Sequence, residues 1–229
     1  RNTMEAKKRE IEVEQSKKSS YLVKVRQDKQ GYLSSLKELQ ANAKRLQTMF
    51  ERLEARSRKA LEARNRKAYS SKGRGNESHG KDAHLPQAPL ALVPDKGLGA
   101  QKGRLSLPVK GTIVEHFGRH KHPEFDSFTF SNGISVSAAV GTPIHAVFDG
   151  EVIFADYFKG YGNMIIVDHG GGFFSLYAHA ASVVKKVGSK VARNDVLASV
   201  GDLDSSKGPL LYFEIRYQGK PVDPAPWFR

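Results

Sequence analysis

The sequence predicts an α+β multidomain chain, with an N-terminal helical coiled-coil segment over residues 1–69, a flexible linker over 70–104 and a mainly antiparallel β domain over 105–229. Three observations carry this expectation. Apolar residues recur three and four apart in the first part, glycine and proline crowd the second, and short alternating strands separated by glycine turns fill the third.

The first element is a helix with a seam. Leu22, Val25, Lys29, Tyr32, Leu36, Leu39, Ala43, Leu46, Phe50 and Leu53 follow one another at alternating spacings of three and four, and all but Lys29 are apolar or aromatic. Lys37, Glu38, Lys44, Arg45, Glu51 and Arg52 lie between them, as a solvated helical face requires. Gly31 is a poor helix former, so a bend or the turn of a helical hairpin is expected there. Such a seam needs a partner strand, from another chain or from a part of the protein outside this sequence. Past Leu53 the heptads fade into a helix-prone run with a short apolar side at Ala55, Ala60, Leu61 and Ala68.

Charge is concentrated on that helix. The chain has 37 Lys+Arg against 24 Asp+Glu, net +13. Residues 1–74 hold 21 basic and 9 acidic residues, net +12, which leaves 16 and 15, net +1, for the remainder. A nucleic-acid site would add a binding fold or an aromatic stacking platform to such a run. Neither accompanies it, so the run reads as a solvated helix face or as an arm that docks on the C-terminal domain, with no nucleic-acid partner.

Cysteine is absent, which excludes disulfides and thiolate zinc sites. No apolar run approaches the roughly 20 residues that span a bilayer. The chain begins at Arg1 inside a charged stretch, without initiator Met or signal sequence, as expected of a fragment or a processed chain.

The linker contains Gly73, Gly75, Gly80, Pro86, Pro89, Pro94, Gly97, Gly99 and Gly103 among polar residues. As a coil it would extend roughly 30–35 Å, enough for the helix to fold back onto the next domain. Beyond it, Ile144, Val147, Val152, Phe154, Ile165 and Val167 alternate with polar positions, and Asp149-Gly150 supplies a tight turn. Most of these residues are expected in a β core. His116, His120 and His122 form a surface histidine cluster, and His145 and His169 are strand histidines without an assigned role.

From Gly141 to Phe228 the segments "GTPIHAVFDGEV", "YGNMIIVDHG", "SLYAH" and "VGSKV" stand in an order and spacing that resemble the LytM (lysostaphin-type) metallopeptidase domains. Active members of that family hold one zinc with a His and an Asp four residues apart around a glycine, and with the second His of a His-x-His on the last strand. Alternate strand residues share a face, which lets such groups converge on a tetrahedral ion. Carried onto this chain around Gly133, the resemblance puts Ser131 and Ser135 at the first pair, Leu210 at the first His of His-x-His and Tyr212 at the final ligand. Only His179, in "SLYAH", keeps the identity of a catalytic residue.

No metal and no cofactor are therefore expected, because a catalytic zinc site needs about three protein ligands with an open position for water. What remains is expected to be a partner-binding groove. Tyr212 forms its floor, Asn132 and Ser135 one side with Ser131, Tyr161 and Met164 the "GYGNM" loop, Tyr177 and His179 the facing strand, and Arg216 the strand end. Tyrosine and arginine anchor protein interfaces because they bury large areas and still offer hydrogen bonds.

The coiled coil, the Gly/Pro linker, "RLSLPVKG" and the ending "LLYFEIRYQGKPVDPAPWF" together are similar to the EnvC-type murein hydrolase activators. That resemblance implies a periplasmic protein of the division septum whose LytM domain switches on N-acetylmuramoyl-L-alanine amidases. It further implies a coiled coil that engages an FtsEX-like division ABC transporter, with peptidoglycan as a further partner. The basic stretch from Met49 to Tyr69 is expected to cover the groove until a partner pulls it away. Two other readings stay open from sequence: a residual zinc peptidoglycan endopeptidase and a passive peptidoglycan-binding scaffold.

Overall fold

The computed structural model describes residues 2–72, 97–121, 128–202, 205 and 207–229. Most of the expected linker, residues 73–96, and His122 of the histidine cluster lie outside them. The chain divides into two compact units, residues 1–45 and 46–229.

A single helix, α1, runs Asn2–Lys72. It continues through Gly31, so no hairpin turn forms there; the Ser35 hydroxyl donates to the Gly31 carbonyl at 3.1 Å, one helical turn away. A glycine costs a helix about 1 kcal/mol, which the flanking helix formers easily offset. In the first unit the seam residues Leu22, Val25 and Leu39 are exposed.

The second unit joins the rest of α1 to a β domain. Its strands are β1 Thr112–Glu115, β2 Gly118–Lys121, β3 Phe128–Ser131, β4 Ile134–Ser137, β5 Pro143–His145, β6 Gly150–Phe158, β7 Gly162–Asp168, β8 Phe173–Val183, β9 Lys190–Val191, β10 Val196–Val200, β11 Leu210–Tyr217 and β12 Lys220–Val222. The large antiparallel sheet has the order β1-β4-β11-β8-β7-β6-β9, with β10 pairing β5 and β8, and β12 pairing β11. β2 and β3 form a separate two-stranded ribbon.

The two faces of the sheet are closed differently. Ile134, Val136, Ile165, Val167, Tyr177, Leu211, Phe213 and Ile215 point into one cluster, which Leu98, Leu105 and Trp227 complete. Met164, Ile166, Phe174, Leu176 and Ala178 form the other, where the cover is α1 itself through fully buried Leu46 and Phe50. Complete burial of each such side chain contributes about 1.5–3 kcal/mol. The C-terminal part of the seam thus finds its partner within the same chain.

Two local expectations need correction. Asp149-Gly150 is not the turn of a hairpin, because β5 pairs with β10 while β6 pairs with β7 and β9. Gly150 is instead a site of close approach: a Cβ there would lie 2.4 Å from the Asp168 carbonyl oxygen. Phe154 also leaves the core set, since a register shift between Val152 and Phe154 turns its ring to the helix-covered face.

Candidate functional site

The alternation of β11 divides its residues between the two faces. Leu211, Phe213 and Ile215 enter the first core. Tyr212, Glu214 and Arg216 occupy the face that α1 covers, and they form a polar chain.

The Tyr212 hydroxyl donates to Glu214 Oε1 at 2.8 Å, and Arg216 Nε donates to Glu214 Oε2 at 2.6 Å. Glu214 is 0% and Arg216 1% exposed. A buried ion pair is tolerated only when its remaining hydrogen-bonding groups are satisfied. Arg216 Nη1 accordingly donates to Gln47 Oε1 at 3.0 Å and to the Gly219 carbonyl at 3.2 Å. The guanidinium also stacks 4.1 Å from the centre of the Phe50 ring, which meets Phe174 edge-on at 6.0 Å. Farther along α1, the Ser57 hydroxyl donates to Asp168 Oδ2.

Tyr161 and His179 surround Tyr212, with ring centroids 5.7 Å and 6.5 Å away. A bulge places His179 there. Asn163 pairs with Ala180 and Ile165 with Tyr177, so two residues of β8 oppose one of β7, and His179 takes φ +62°. Its backbone N–H donates to the Tyr161 carbonyl at 2.8 Å. Met164 is fully buried beneath the helix. Burial, reinforced by the negative charge of Glu214, pushes the Tyr212 phenol well above its ordinary 10.0. The same two causes, in the same order, raise Tyr161.

Ser135 pairs directly opposite Tyr212. Its hydroxyl donates to Glu115 Oε2 at 3.1 Å, and the Lys207 ammonium binds that same oxygen at 2.8 Å. The Ser131 hydroxyl donates to the Gly133 carbonyl at 3.1 Å, and Asn132 sits half-buried in the bend between β3 and β4. Gly133 is required by close packing, since a Cβ would meet the Phe213 carbonyl oxygen at 2.2 Å and Glu214 Cγ at 2.9 Å.

Tyr177 is not part of this face. It pairs with Phe213, lies wholly inside the opposite core and accepts a hydrogen bond from the Val147 N–H at 3.0 Å. Burial pushes its phenol up to about 12. Strand alternation is the reason: the bulge returns His179 to the covered face but leaves Tyr177, one residue before Ala178, on the core side.

The donor chemistry here does not suit zinc. Tyr212 keeps its proton and donates a hydrogen bond through it to Glu214, while the Ser131 and Ser135 hydroxyls donate to a carbonyl and a carboxylate. Zinc is held by thiolate, imidazole and carboxylate groups. Among the described residues no group of three or more His, Cys, Asp or Glu is arranged to hold a metal. His120 Nε2 lies 2.6 Å from the His116 carbonyl, and His145 Nδ1 lies 2.8 Å from the Asn194 carbonyl. Both contacts are backbone anchors.

The residues missing from the sequence expectation are Gln47, Glu115, Lys207 and Glu214; Phe50 and Ser57 fall within the Met49–Tyr69 stretch expected to cover the groove. The uninterrupted apolar run Met164–Val167 on a strand carried a signal, because a strand buried on both faces must have a cover on each.

Residues 129–224 match Peptidase family M23. The β domain belongs to that family, in its LytM form. Across 84% of its length the chain is similar to the murein hydrolase activator EnvC of Escherichia coli (strain K12), 34% identical over 195 residues that make up 46% of that protein. It is also 36% identical over 112 residues to the DD-carboxypeptidase/endopeptidase Mpg of Neisseria meningitidis serogroup B (strain ATCC 13091 / M2091), covering 49% of this chain and 26% of that one. With the murein hydrolase activator NlpD of Salmonella dublin it shares 33% identity over 118 residues, 51% of this chain and 29% of that one. The chain spans less than half the length of each of these relatives. They include a named enzyme as well as named activators, so the fold alone does not choose between the two activities.

Proposed function

We propose that the protein is a non-catalytic activator of periplasmic N-acetylmuramoyl-L-alanine amidases in septal peptidoglycan splitting. The amidase docks on the face that carries Ser135, Tyr161, His179, Tyr212 and Arg216, and segment 46–57 of α1 keeps that face covered. The amidase supplies the zinc and the chemistry. Differential binding of its active state shifts the amidase population toward cleavage. The N-terminal part of the helix, with its exposed seam, belongs to an interaction with an FtsEX-like transporter complex that draws the arm away.

One observation carries this reading: a helix of the same chain closes the Tyr212–Arg216 face through contacts that a partner can replace, Gln47 on Arg216 and Phe50 stacked on the same guanidinium. The protonated hydroxyls of Ser131, Ser135 and Tyr212, which donate to the Gly133 carbonyl, Glu115 and Glu214, support a non-enzymatic role. The segment in contact begins at Leu46, earlier than the Met49–Tyr69 stretch expected from sequence.

Dye release from labelled sacculi tests the reading, with a periplasmic amidase alone, the chain alone and the two together. Release is expected only from the mixture, to be lost in Tyr212→Ala and Arg216→Ala, and to rise when residues 1–70 are removed. Release by the chain alone, abolished by His179→Ala, would replace this reading with a zinc endopeptidase. Retention on sacculi without any change in amidase rate would replace it with a scaffold.

A further inference from the structure

Segment 46–66 of α1 has a second side that the covered face does not use. At about 100° per residue, Leu46, Phe50 and Ser57 fall together on the side that meets the sheet. Arg52, Arg56, Lys59 and Arg66, all exposed, fall within about 80° of one another, centred roughly 145° round the axis from that side. They form a stripe on the order of 21 Å long at about 1.5 Å per residue. Thr48 and Ala63, also exposed, share it, and the acidic residues of the segment, Glu51, Glu54 and Glu62, lie outside it.

The sheet fixes which way the stripe points. Buried Leu46 and Phe50, together with Gln47 on Arg216 and Ser57 on Asp168, set the rotation of the helix and hold the cations outward. Helix stability gives no reason for the arrangement: Arg52 with Arg56, and Arg56 with Lys59, are like charges four and three apart, which repel across one helical face. The composition of the stripe also selects a ligand. Protein interfaces draw most of their energy from buried aromatic and large apolar anchors and deplete charge at their centre, and this stripe has no such anchor. A helix that inserts into a bilayer uses an exposed apolar side. Here the apolar side is already occupied by Met164, Ile166 and Phe174. A straight row of cations without an apolar anchor fits a flat, uniformly anionic surface, where each Lys or Arg gains separately from the surface potential.

We propose that the outward face of α1, through Arg52, Arg56, Lys59 and Arg66, docks the protein on the headgroups of an anionic phospholipid bilayer. The helix stays on the sheet while it does so. One of its sides closes the Tyr212–Arg216 face and the other lies along the membrane. The inference does not rest on the activator reading, and its test contains no amidase.

The test is co-sedimentation of the full chain with phosphatidylcholine vesicles, with and without phosphatidylglycerol, at about 150 mM salt, where only charges close to the surface still act. Binding is expected only with phosphatidylglycerol. At about fivefold per cation, Arg52→Ala/Arg56→Ala should weaken it roughly 25-fold, and adding Lys59→Ala/Arg66→Ala should abolish it. The control Lys7→Ala/Lys17→Ala/Lys24→Ala/Arg26→Ala removes the same charge from exposed positions scattered round the first part of the helix. It should change binding less than about twofold. Alanine favours helix, and circular dichroism checks that every variant stays folded. Equal loss in the control would reduce the effect to net charge and overturn the proposal. Binding that survives about 1 M salt would also overturn it, because the apolar side would then have left the sheet and entered the bilayer. So would an absence of vesicle binding, which would assign the stripe to an acidic protein surface instead.

Discussion

The two faces of β11 present the same backbone to two kinds of cover. On one, Phe213 and its neighbours meet side chains from the sheet's own strands and from the segment carrying Trp227. On the other, Tyr212, Glu214 and Arg216 meet a helix attached through residues that the β domain does not need for its own pairing. The first cover can be removed only by unfolding the sheet. On the reading proposed above, the second is lifted as a unit, at the cost of exposing an apolar cluster and one buried ion pair.

The comparison breaks most easily at Phe213. Phe213→Ala is expected to lower global stability by about 3–5 kcal/mol in urea unfolding, because the cavity opens in a core that cannot relax. Phe50→Ala removes a ring that is buried just as completely, yet its effect should be local. Hydrogen exchange should speed up at helix residues 46–57 while the amides of β7, β8 and β11 stay protected, and amidase activation should rise. Global destabilisation equal to that of Phe213→Ala would mean that the helix belongs to the indivisible core.

Arg216→Ala leaves Glu214 buried without its cation and should cost about 3 kcal/mol. The Glu214→Gln/Arg216→Met double variant should recover most of that loss. Failure to recover would assign the cost to the stacking on Phe50 instead of to the ion pair. Ser57→Ala removes a single hydrogen bond to Asp168 and should weaken the arm by about 1 kcal/mol, visible as a small rise in exchange near residue 57.

The smallest effect belongs to the permanent core side and depends on pH. His169 Nδ1 lies 2.7 Å from the Asp149 carbonyl and Nε2 lies 2.7 Å from Ser175 Oγ. Burial holds its imidazole below the ordinary 6.5, against the opposing pull of the Asp149 carbonyl and of the Asp168 and Asp149 carboxylates. As pH falls through 6.5 the unfolded chain takes up the proton first, so this contribution is present above 6.5 and fades below it. Unfolding free energies at pH 7.5, 6.5 and 5.5 should decline more steeply in the wild-type chain than in His169→Gln. Parallel declines would remove His169 from the account.

Much of this architecture was legible in the residues. The seam spacing gave the helix, and the glycine-punctuated alternation gave an antiparallel β domain of LytM type. The expected groove included Tyr212, Arg216, Tyr161, Met164, His179 and Ser135, and the structure places these on one face. Tyr177 was misplaced because a bulge at Ala178–His179 breaks the period of two that assigns strand residues to faces. Phe154 was misplaced by the same kind of shift in β6. A bulge adds one residue without altering composition, so a pattern of alternation does not reveal it.

The sequence by itself determined which segments are helix and strand and where the charge resides. Those properties are local, set by side-chain type and by spacing within one element. Tertiary structure alone decided that the stripe Leu46, Phe50, Leu53 closes on Met164, Ile166 and Phe174 of the same chain, and that Gln47 completes the bonding of Arg216. An apolar stripe specifies that it will be buried but not against what, because the hydrophobic effect is non-directional. The identity of the partner surface is fixed only when the buried Glu214–Arg216 pair meets its hydrogen-bonding neighbour Gln47, 169 residues away in sequence.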